Sequence, residues 1–68
     1  MIMNEEELNQ SIRRFLKKTG ISSQREIEKA MQQADAAGRL DGKPVRVKMT
    51  LECELLDAPL CIEEDISY

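Results

Sequence analysis

Glu52, Glu54, Glu63 and Asp65 are the residues of this 68-residue chain whose type and spacing come nearest to chemistry. They alternate with apolar residues, so a hairpin of strands would place all four on one polar face. Paired carboxylates can exchange protons as acid and base, or hold a hard cation through oxygen. The spacing is also simply the period of a strand, and no calcium-loop glycine pattern accompanies it, so a solvated acidic face is the plainer expectation. Glu64 falls on the apolar parity; it is expected at an edge, at an interface, or paired with Arg13 or Arg14. Cys53 and Cys61 are separated by seven residues rather than two and fall on opposite parities. No disulfide is expected between them: Cys53 reads as a small inward hydrophobe and Cys61 as a partly exposed thiol. The chain contains no histidine, which removes histidine catalysis and histidine metal ligation. Gly20, Gly38 and Gly42 are too dispersed for a phosphate-binding loop. The reading is therefore of a non-enzymatic protein, with no catalytic residue, no metal and no cofactor.

A second group of candidates is basic except for Gln24. Arg13, Arg14, Lys17, Lys18, Gln24, Arg25 and Lys29 surround a stretch, residues 13–30, that has the signals of a helix-turn-helix. In DNA-binding versions the first residues of the second helix meet base edges. Here those are Ser22, Ser23, Gln24 and Arg25, and Gln and Arg suit adenine and guanine. The lysines and remaining arginines would neutralise phosphates. With a hairpin following, the arrangement looks like a truncated winged helix. Against it stand a net charge of −3, the missing third helix, an acidic would-be wing, and Glu26 and Glu28 beside any phosphate. A nucleic-acid-binding regulator is the alternative; a protein-interaction module is the preferred reading.

The elements that position these residues follow from caps and periodicity. Asn4 is an N-cap with Glu7 completing a capping box, and Glu5 and Glu6 suit the first turn. Leu8, Ile12, Phe15 and Leu16 form an apolar stripe, and Gly20 can end the helix in the left-handed conformation. Helix 1 is predicted over 5–19. Ile21 bridges a turn and is expected to be buried. Ser23 and Glu26 make a second capping box, and Ile27, Ala30, Met31 and Ala34 form the inward stripe of a helix over 24–37. Gly38 caps it, and Leu40 is placed for the apolar contact that often follows. Asp41-Gly42-Lys43-Pro44 is a turn. Alternation then predicts strands over 45–55 and 60–67, with Leu55 opposite Leu60, Cys53 opposite Ile62, Leu51 opposite Glu64 and Met49 opposite Ile66. The fold class is α+β, helix-helix-strand-strand, with a C-terminal β-hairpin packed on two helices in one small domain, 1–68.

Such a chain has little to bury. A domain of this size hides only about 60% of its unfolded surface, and Phe15 and Tyr68 are the only aromatics. A two-stranded sheet is marginal alone and leaves open edges. A homodimer through the hairpin edge or the apolar face would answer both. Charge is polarised along the chain: residues 1–48 hold all ten bases against seven acids, and residues 49–68 hold six acids and no base. The first residues lack the basic and apolar regions of a secretory signal, and no run approaches the ~18 apolar residues of a membrane span. With two unpatterned cysteines, a reduced cytoplasmic setting is expected.

The run LNQSIRRFLKKTGISSQREIEKA, the alanine-rich stretch ending in Gly38-Arg39-Leu40, and Met49-Thr50-Leu51 resemble a family of short bacterial proteins known only as a domain of unknown function. SQREIEKA is the most specific part, and the likeness covers nearly the whole chain. The resemblance implies a soluble, cytoplasmic, stand-alone domain and carries over no activity, cofactor or functional residue. The two cysteines are not part of its pattern.

Overall fold

In the computed structural model, which describes residues 2–68, a single helix α1 (Glu5–Ala36) is followed by two strands, β1 (Val45–Leu51) and β2 (Leu60–Ile66). The helix begins where its cap dictates. The Glu7 backbone N–H donates to Asn4 Oδ1 at 3.0 Å, and Glu5, Glu6 and Glu7 occupy the positive end of the helix dipole. It ends in a Schellman turn: Arg39 N–H donates to the Ala34 carbonyl at 2.8 Å and Gly38 N–H to that of Asp35 at 3.0 Å. Gly38 takes φ +69°, which a residue with a Cβ adopts only at a cost.

Between these ends the helix does not break, so the two-helix arrangement is corrected to one helix of 32 residues. Gly20 stays right-handed, and the backbone from Thr19 to Ser23 is helical throughout. Stopping and restarting a helix frees four carbonyls and four N–H groups that need new partners. Keeping the ladder costs only about 1 kcal/mol for an interior glycine. The apolar spacing also favours continuity. Leu16 and Ile27 are eleven residues apart, close to three whole turns, so the two predicted stripes are one stripe. Ile21 falls on the opposite side of that stripe and is 44% exposed rather than buried in a turn.

The chain then reverses. Asp41 Oδ1 accepts from the Lys43 N–H at 3.0 Å, Gly42 has φ +84°, and its N–H donates to Tyr68 Oη at 2.6 Å. That last bond ties the end of the described chain to the helix–strand connection. The strands pair antiparallel with Val45 opposite Ile66, Val47 opposite Glu64, Met49 opposite Ile62 and Leu51 opposite Leu60. The faces keep their predicted parity, but the register is displaced from the predicted one: Leu60 meets Leu51, not Leu55. β1 therefore stops at Leu51, and residues 52–59 form the connection, with a turn closed by Leu56 N–H donating to Cys53 O at 3.0 Å.

The hairpin runs back along the C-terminal half of α1. Thr19, Ser23, Ile27, Met31 and Ala34 are half-buried at spacings of three and four, as are Val45, Val47, Leu51 and Ile66 on the facing strands. No Cα of the helix lies within 8 Å of a strand Cα. No described residue is fully buried.

Candidate interaction surface

A helix of 32 residues is about 48 Å long, and a seven-residue strand about 23 Å. The strands therefore run along only half of α1. The helix stripe continues past them as Leu8, Ile12, Phe15 and Leu16, with no strand beneath Leu8 or Ile12. Phe15 and Leu16 remain 53% and 55% exposed. Together with Met49, Leu51, Leu60 and Ile62 they line an open groove of about 350 Å³ between the helix and the strands. Its other lining residues, Thr19, Ser23 and Thr50, are uncharged. Exposed apolar side chains thus run in one line from Leu8 along the helix into the groove.

The whole molecule repeats the message. The chain measures 56 × 23 × 16 Å with a radius of gyration of 16.5 Å, where a compact domain of this length has about 11 Å. It exposes 6603 Å², about 2,200 Å² more than a compact monomer of its mass.

The basic candidates are all exposed on the outside of α1. In a continuous helix Arg14, Lys18, Arg25 and Lys29 run from the far side onto one flank of the stripe, while Arg13, Lys17 and Gln24 lie along the other flank. Gln24 Nε2 donates to Glu28 Oε1 at 2.9 Å. Ser22–Arg25 are mid-helix, so there is no turn and no helix N-terminus from which they could enter a groove. The helix-turn-helix expectation is corrected accordingly.

The acidic candidates separate. Glu63 and Asp65 lie on the polar face of β2, where Arg46 spans them: its Nη2 donates to Glu63 Oε2 at 2.8 Å and its Nη1 to Asp65 Oδ1 at 3.2 Å. Lys48 Nζ stands 3.9 Å from Glu63 Oε1. Glu52 and Glu54 lie beyond the strands, in the connection. The four carboxylates thus form no shared site, and no cluster of three or more metal-ligating side chains occurs among the described residues. Glu64 sits on the apolar face opposite Val47 and beside Met49, Ile62 and Ile66. Among the described residues it makes no ion pair with Arg13 or Arg14.

Both cysteines are free and exposed. Cys61 Sγ lies 3.8 Å from Thr50 Oγ1 on the polar face. Cys53 is in the connection, not inward on a strand, because β1 ends before it. The groove and the overhanging stripe are thus the exposed apolar surface that the helix and the hairpin share. The stripe residues were read from the sequence as core; the missed signal was the unbroken phase of apolar positions across Gly20.

Among the described residues no helix is long and apolar enough to cross a membrane. No curated protein and no solved structure matches the chain. A family model matches residues 3–68, and the chain belongs to that family, a family of unknown function, DUF6494.

Proposed function

We propose that the protein is a non-enzymatic interaction module whose working surface is the apolar face formed by α1 and the hairpin. The observation that carries this reading is the exposed run from Leu8 through Leu16 into the groove with Met49, Leu60 and Ile62. Apolar area of that kind drives association without requiring a reactive group. In its simplest form the module is a homodimer, assembled through this face or through a hairpin edge. The flank of Arg14, Lys18, Arg25 and Lys29 is, in this reading, a solvated surface that keeps the helix soluble. The two free cysteines suit a reduced, cytoplasmic setting.

The test compares wild type with Phe15→Asp. Sedimentation at high micromolar concentration and affinity capture from host cells should both show an assembly larger than one chain, lost in the variant. Gln10→Asp, the same charge placed on the opposite side of α1, is the control and should leave the assembly intact. A wild type that sediments as a single chain and captures the same proteins as Phe15→Asp refutes the module.

A further inference from the structure

We infer that the uncovered half of α1 packs antiparallel against the same half of a second copy, about a two-fold axis near Ile12. The inference rests on the interaction-module reading and specifies its partner and geometry. Three observations carry it.

The first is area. The chain exposes about 2,200 Å² more than a compact monomer of its mass, so it has surface to spare for the roughly 800 Å² per partner that a stable interface covers. A hairpin-edge dimer would pair seven-residue strands and leave Leu8, Ile12, Phe15 and Leu16 in water. Only contact along the helix covers them.

The second is charge. Glu5, Glu6 and Glu7 open the helix, and Lys17 and Lys18 follow the last overhanging apolar residue. A parallel pair would set acid on acid and base on base. An antiparallel pair centred on Ile12 sets Leu8 against Leu16 and Ile12 against its own copy. It also places Glu6 and Glu7 of each chain at the level of Lys18 and Lys17 of the other. Glu7 and Lys18 lie on the same flank of the stripe, the flank that meets its own counterpart in an antiparallel pair.

The third is shape. The groove shows that the strand ends Leu51 and Leu60 lie near Phe15 and Leu16. In the antiparallel pair the overhangs lie side by side, and the two hairpins therefore sit at opposite ends, each on the part of its own helix that extends past the other's helix start. The two hairpins do not compete for the stripe.

Cross-linking tests the geometry. In a Cys53→Ser/Cys61→Ser background, Ile12→Cys should form a disulfide-linked dimer under mild oxidation, and Gln10→Cys, on the opposite side of the helix, should not. Glu7→Lys alters an exposed position and should weaken the dimer roughly tenfold, since two exposed pairs are made repulsive. Glu7→Lys/Lys18→Glu should restore it. A sedimenting dimer in which Ile12→Cys fails to cross-link, or in which Glu7→Lys has no effect, overturns the antiparallel helix pair and leaves the interaction module standing. A wild type that remains a single chain at several hundred micromolar overturns the second copy as partner. Only if that single chain also captures the same proteins as Phe15→Asp does the module fail too.

Discussion

At Gly20 the backbone stays right-handed, and a Cβ built there would meet nothing within 4 Å. The residue therefore costs helix stability and returns no packing or turn geometry in this structure. Gly20→Ala should raise stability by about 1 kcal/mol, the difference between the two residues in a helix interior. Gly38 makes the opposite demand. At φ +69° it supplies the left-handed residue of the Schellman turn, and Gly38→Ala should lower stability by about 1 kcal/mol. Urea denaturation of both variants, followed by circular dichroism at fixed chain concentration, measures the pair. The sign at Gly20 is the informative one. A helix that ended there in the left-handed conformation would lose stability on gaining a Cβ, so a destabilised Gly20→Ala would contradict the continuous helix.

The hairpin is held by its register and by one cluster of charges across it. Arg46 faces Asp65 directly and reaches diagonally to Glu63, which also faces Lys48. All of these groups are substantially exposed, so the cluster contributes modestly. Arg46→Ala should cost no more than about 1 kcal/mol, and the loss should shrink at 1 M salt, where exposed charges are screened. Urea midpoints at low and high salt check this; an equal loss at both would point to the packing of the arginine stem instead. The charge pairs depend on the register, whereas the two faces of the hairpin follow from alternation and the capping by Asn4 and Gly38 from residue type. Such features are local, and a few residues decide them. The register was not legible, because Leu56-Asp57-Ala58-Pro59 names no specific turn and a displacement of four residues preserves parity. The junction at Gly20 misled for a different reason. Gly20, Ser23 and Glu26 carry valid stop and start signals, each worth about 1 kcal/mol. The intact ladder and the shared phase of Leu16 and Ile27 outweigh them. The candidate basic contacts depended on that junction, so they changed meaning when it became helix.

On the scale of the whole molecule, a long helix beside a short hairpin is an incomplete solution to burial. No described residue is fully buried, yet every ordered residue costs about 1–2 kcal/mol in backbone freedom. Hydrophobic burial is the main term available to offset that cost, and in one copy the stripe from Leu8 to Leu16 leaves about half of its surface in water. The N-terminal half of α1 makes the point most sharply, because isolated helices of that length are marginal in water. Its stability must therefore come from whatever covers Leu8, Ile12, Phe15 and Leu16. If that cover is another chain, folding and association are one equilibrium, and stability must depend on protein concentration. For a dimer of this size the melting temperature should rise by about 5 °C for each tenfold increase in concentration. Scanning calorimetry across two decades of concentration reads this directly. A melting temperature that stays constant over that range would mean that one copy supplies its own stability, and the exposed stripe would then need a different explanation from assembly.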